Sequence, residues 1–155
     1  MLALLKKHNA SSVVVTGHSL GAALALLDSV YLSLHLPAGT RVRMVGYGMP
    51  RVGNHAFADY VDAMHSAGSD SVTVTATHIN NKKDPIAIVP GRFLGLAHPA
   101  GEVHIQDDSG NLWVSCSGHD NPSRFCSVGD VPNVIQSNIS DHRGPYDDGI
   151  FMGSC

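Results

Sequence analysis

The sequence predicts an α/β fold in which a mostly parallel sheet is joined by crossover helices. Three observations carry this expectation. Val13-Val14-Val15-Thr16, four β-branched residues in a row, run into Gly17-His18-Ser19-Leu20-Gly21 and then into the helical pattern Ala22-Ala23-Leu24-Ala25-Leu26-Leu27. Strand and helix patterns alternate as far as Ile79, the order that produces parallel strands with helical crossovers. The reactive side chains fall in loops after strands, where open α/β sheets gather function.

Taken in order, Leu2, Leu4 and Leu5 followed by Lys6 and Lys7 read as the last turns of a helix, so the chain reads as starting mid-fold. His8 to Ser12 is the loop into the first strand. A helix is expected from Leu20 to Leu36, apolar around most of its first half and ended by Pro37-Ala38-Gly39. Val42 to Tyr47 alternates as a second strand, and Gly48 to Asn54 is a loop. Phe57, Tyr60, Val61 and Met64 lie at helical spacing and predict a helix over 54–67. Ser71 to Ile79 is a third strand, with Val72, Val74 and Ala76 on one side. Asn80 to Pro85 is a loop, and Ile86 to Leu96 reads as a crossing at the sheet edge. Residues 101–105 and 111–115 bracket Asp107-Asp108-Ser109-Gly110, which predicts a hairpin. Beyond Cys116 turn-forming residues dominate, with a short helix expected in Val131 to Ile139. No internal repeat or linker is visible, so one domain is expected from 155 residues.

A formal charge of −3 gives no electrostatic footprint for nucleic acid. The ten histidines are scattered, and no H-E-x-x-H or Cys/His cluster at ligand spacing predicts a metal. No run of eighteen apolar residues predicts a membrane span. The apolar start is too short for a secretory leader and has its lysines on the wrong side. Cys116 and Cys126, ten apart, are compatible with a short disulfide loop, while Cys155 has no obvious mate in this chain.

The G-x-S-x-G pattern between a strand and a helix predicts a tight turn presenting the Ser19 hydroxyl, with small Gly17 and Gly21 avoiding clashes between strand and helix. A serine hydroxyl needs a base to take its proton, and an imidazole base needs a carboxylate to fix its tautomer. In sheets of this kind the chain order is serine, acid, histidine. Asp84 follows the third strand by five residues and is the favoured acid; Asp107 and Asp108 compete but fit the hairpin turn better. The base must come later, from His98, His104, His119 or His142. Spacing favours His142 and leaves His98 and His104 open. The N–H of Leu20, at the start of the elbow helix, is the expected oxyanion donor. A second donor is expected from an earlier loop, which the eighteen residues before Ser19 do not contain.

Four pieces of the sequence resemble the class 3 lipases, the secreted filamentous-fungal triacylglycerol lipases and their feruloyl esterase relatives. They are Val15 to Gly21, Tyr47-Gly48-Met49-Pro50-Arg51-Val52-Gly53-Asn54, Asp84 to Pro90 after Thr77-His78-Ile79-Asn80, and Asp141-His142. The second piece is far more specific than the elbow. The resemblance implies an α/β-hydrolase fold, a triad of Ser19, Asp84 and His142, no cofactor, and a lipid or ester substrate met at a lipid–water interface. It implies a disulfide such as Cys116 to Cys126, a secreted parent protein and a monomer. Members are close to twice this length, so residues 1–155 are expected to form the C-terminal portion of one hydrolase domain, without the early strands, the second oxyanion loop and the lid. The alternatives are a feruloyl esterase-like hydrolase or an inactive remnant. Two departures stand out: Ala22 replaces a glycine common after G-H-S-L-G, and Pro85 restricts the backbone of Asp84.

Overall fold

The computed structural model describes residues 1–65, 72–106, 112–146 and 149–153. A short helix α1 (Leu2–His8) leads into strand β1 (Ser12–His18), helix α2 (Leu20–His35) and strand β2 (Arg41–Tyr47). A two-residue strand β3 (Gly53–Asn54) precedes helix α3 (His55–His65), and strand β4 (Thr73–Asn81) follows. Then come β5 (Leu96–Ala97), β6 (Glu102–Ile105), β7 (Trp113–Cys116) and the single-turn helix α4 (Ser127–Asp130). Five strands form one sheet in the order β1-β2-β4-β6-β7, parallel except for the last pair, and β3 pairs antiparallel with β5 apart from it.

The expected α/β order holds, with local corrections. β4 runs two residues past Ile79, because Asn80 and Asn81 pair with His104 and Ile105 of β6. Gly53 and Asn54, expected in a loop, form β3. The crossing between β4 and β6 contains two 3₁₀ turns, Ile86–Ile88 and Arg92–Leu94, and no longer helix. The short helix expected over Val131 to Ile139 is instead α4, earlier in the chain; the later stretch has 3₁₀ turns at Val134–Gln136 and Ile139–His142. Asn133 and Asn138 cap these turns with their side-chain oxygens, a local bond that competes with regular helix. The hairpin of β6 and β7 forms as expected; its turn, with Asp107 and Asp108, lies outside the described residues, as do Ser71, the end of the second expected helix and Cys155.

One face of α2 packs Ala22, Ala25 and Leu26 on Met44, Val15 and Ala76 of the sheet. Ala22 fits where a glycine is common because Gly46 lies opposite: a Cβ at Gly46 would approach that of Ala22 to 3.0 Å. The helix is apolar on its outer side as well, where Leu20, Leu24, Leu27, Tyr31 and Leu34 are exposed. No described helix is long and apolar enough to cross a membrane.

Toward β6 the helix-side layer turns polar. His78 and His98 stack with ring centroids 4.8 Å apart. Their Nε2 atoms face the carbonyls of Pro99 and Ala87, and neither Nδ1 has a partner among the described residues. Burial holds both imidazoles below the ordinary histidine pKa, and for His98 the neighbouring ring adds to the effect. The unfolded chain therefore takes up protons near pH 6.5 that the folded chain refuses until lower pH. Stability falls as pH drops below that value, by at most about 1.4 kcal/mol per pH unit for each histidine. Urea midpoints measured from pH 7 to pH 5 are expected to fall, and to fall less in His98→Phe, which keeps the stacked ring without its titration.

Candidate active site

Three parallel strands end on one rim. The ladder continues past them: the Ser19 N–H donates to the Tyr47 carbonyl at 2.8 Å and the Gly48 N–H to the Ile79 carbonyl at 2.9 Å. Ser19 caps α2 with φ 57° and ψ −130°, a strained positive-φ conformation at the tight turn expected of the elbow. Gly17 is required by this geometry, since a Cβ there would lie 2.2 Å from the Gly21 carbonyl oxygen. Gly21 is not: a Cβ at that position meets nothing within 4 Å, which corrects the expectation that both glycines relieve clashes. Leu20 opens α2, so its N–H belongs to the first turn and has no intrahelical acceptor.

Asp84 and His142 are brought together. His142 Nδ1 and Asp84 Oδ2 are 2.9 Å apart, with the carboxylate side chain 1% and the imidazole side chain 13% exposed. The other carboxylate oxygen accepts from the Ile86 N–H at 2.7 Å, so the residue after Pro85 supplies the bond that aims Asp84. Among the described residues Ser19 Oγ makes no hydrogen bond; its neighbour His18 lies against the His142 ring, with centroids 4.4 Å apart. Serine–histidine contacts are often long without substrate.

The other histidines are engaged elsewhere. His98 is buried in the stack with His78, and His104 is buried with its ring nitrogens 2.9 Å from the Phe125 and Lys82 carbonyls. His119 pairs with Asp62 at 2.7 Å. Among the described residues only His142 meets Asp84, and topology explains why. His18, Tyr47, Ile79 and Val103 lie in one register row across four strands, and Tyr146 packs on this row, edge-on to both Tyr47 and His18. That packing carries the preceding residues to the rim. Asn81 Nδ2 donates to the Asp141 carbonyl at 2.9 Å, and the Lys83 N–H to the Asp141 carboxylate at 3.1 Å.

Two further residues shape the site without having been singled out for it. Gly48, at φ +53°, faces the pair so closely that a Cβ would lie 2.8 Å from Asp84 Oδ2 and 2.9 Å from His142 Nδ1. Arg51 is buried, bonded to Asp120 and to the carbonyls of Ile88 and Pro90, which clamps the loop that follows Asp84. Burial opposes the charge on Asp120, but the Arg51 guanidinium overcomes it and holds the carboxyl below its usual range. Both lie in Tyr47 to Asn54, where a strand-end glycine and an arginine amid apolar residues were the available signals. Cys116 and Cys126 form the expected disulfide, with Cα atoms 6.0 Å apart, tying β7 to α4. Glu102 lies close to both sulfurs, but their mutual bond leaves no thiolate to ligate a metal.

With this geometry in place, the family model for lipase (class 3) matches residues 1–94, more than half of the chain. The chain belongs to the class 3 lipases. This lipase-family chain is 33% identical over 153 residues to a secreted mono- and diacylglycerol lipase of Malassezia globosa, covering 97% of the chain and 46% of that protein. Its fold matches a lipase from Rhizopus microsporus var. chinensis with TM-score 0.77 at 30% identity, over 96% of the chain and 48% of the other. It also matches a triacylglycerol lipase whose catalytic centre is formed by a serine protease triad, with TM-score 0.74 and 30% identity, over 96% and 52% of the two chains. These neighbours share the α/β-hydrolase fold. The chain spans about half the length of the relatives it matches.

Proposed function

We propose that the protein is a serine carboxylic-ester hydrolase acting on acylglycerols, with Ser19, His142 and Asp84 as its triad. The observation that carries this reading is the Asp84–His142 contact on the rim where Ser19 stands at the elbow. Asp84 accepts from Nδ1–H, which leaves the Nε2 lone pair of His142 free to take the Ser19 proton as Oγ attacks the ester carbonyl. The N–H of Leu20 steadies the oxyanion, His142 returns the proton to the departing alcohol, and water releases the acyl group. In the loop beyond Asp84, Arg51, Ile88, Val89, Phe93, Val131 and Val134 line a groove of about 520 Å³. Exposed Phe93, Leu94 and Ile135 make that rim a surface for lipid. The secreted relatives and the disulfide support an oxidising, extracellular destination. We read residues 1–155 as part of one α/β-hydrolase domain.

A fluorophosphonate probe tests the site: labelling is expected at Ser19, and none in Ser19→Ala or His142→Ala. Fatty acid released from a dioctanoylglycerol emulsion, compared with ferulate released from methyl ferulate, tests the substrate. Faster ferulate release would overturn the acylglycerol reading.

A further inference from the structure

Nothing in the proposed chemistry uses His18, yet this residue makes more contacts with the base than Ser19 does. Its Nε2 lies 2.7 Å from the backbone carbonyl of His142, and its ring lies against the His142 ring at 4.4 Å with an interplanar angle of 33°. A carbonyl only accepts, so Nε2 of His18 carries the proton and donates it. The same carbonyl accepts from the Tyr146 hydroxyl at 3.2 Å. Burial raises the Tyr146 pKa, which keeps that phenol a neutral donor.

We infer that His18 is a positioning residue for the base, registering His142 against the nucleophile next door to it in sequence. This rests on the hydrolase reading above. The physical need is plain from the fold. Ser19 follows a seven-residue strand and opens a sixteen-residue helix, both rigid elements. His142 ends a four-residue 3₁₀ turn in a stretch with little regular structure. Catalysis depends on the distance between two side chains with such different supports, and misplacement by about 1 Å costs on the order of 10²-fold in rate. His18 joins them through a single peptide bond on one side, and a hydrogen bond and a tilted ring contact on the other.

The groups against His18 are His142 and Tyr146 from the C-terminal stretch and Tyr47 from β2.

The test uses His18→Ala, His18→Gln and His18→Phe beside Ser19→Ala, with a soluble short-chain ester. His18→Ala is expected to lower kcat by about 10²-fold with KM within about twofold. His18→Gln, which keeps a donor, and His18→Phe, which keeps a ring, each recover part of the loss. A kcat in His18→Ala within about threefold of the parent, or a loss that neither His18→Gln nor His18→Phe recovers, with Ser19→Ala inactive, would overturn the inference alone. A parent no more active than Ser19→Ala would instead overturn the hydrolase reading beneath it.

Discussion

Asparagine in place of Asp84 is expected to lower kcat by about 10⁴-fold while leaving the fold intact, the scale on which a triad responds to the wrong imidazole tautomer. The side chain is isosteric, and its amide oxygen can keep the bond from the Ile86 N–H. The amide nitrogen then stands where Oδ2 was, facing His142 Nδ1 as a donor toward a donor. The ring responds by moving its proton to Nε2, and the base loses the lone pair that accepts from Ser19. Burial gives water little room to intervene, since the Asp84 side chain is 1% exposed. Steady-state kinetics with a soluble ester, beside circular dichroism of both proteins, check this. A kcat within tenfold of the parent, in a folded variant, would remove Asp84 from the triad.

A single methyl group added at Gly48 is expected to cost about 10² to 10³-fold in kcat. Its Cβ would press against the hydrogen bond from the side, 2.8 Å from Asp84 Oδ2 and 2.9 Å from His142 Nδ1, with Cε1 of the imidazole 3.0 Å away as well. Neither partner can yield easily, because Asp84 is bonded to the Ile86 N–H and the His142 carbonyl to His18 and Tyr146. The pair must separate, and general-base catalysis contributes roughly 10² to 10⁴-fold. The φ of +53° adds about 1 kcal/mol of backbone strain for an L residue. Gly48→Ala should thus lose kcat far more than stability, read by kinetics and a thermal melt on one preparation. Loss of stability alone would mean that Gly48 serves only its turn.

Local chemistry made some of this legible early. A β-branched run, a G-x-S-x-G turn and an Ala-rich helix determine an elbow wherever they occur together, because each choice is satisfied by neighbours in sequence. The Asp84 loop was legible because the apolar alternation of β4 breaks near Ile79, although strand pairing carried β4 on to Asn81. The Val131 to Ile139 stretch misled because Asn133 and Asn138 bond to nearby backbone and hold short 3₁₀ turns. The role of Gly21 misled because glycine was read as steric relief, whereas it is the Cβ missing at Gly17 that lets strand and helix approach.

The sequence by itself therefore determined the alternation of strands and helices, the elbow and a short set of candidate histidines. The choice among those histidines by residue pattern alone stayed open between His98, His104 and His142. Tertiary structure sets them apart, burying the first two against carbonyls and an imidazole and laying Tyr146 on the His18-Tyr47-Ile79 row so that His142 reaches Asp84. The contact between His18 and His142 spans 124 positions. No local propensity encodes it, because it exists only once parallel strands from distant segments end on the same rim.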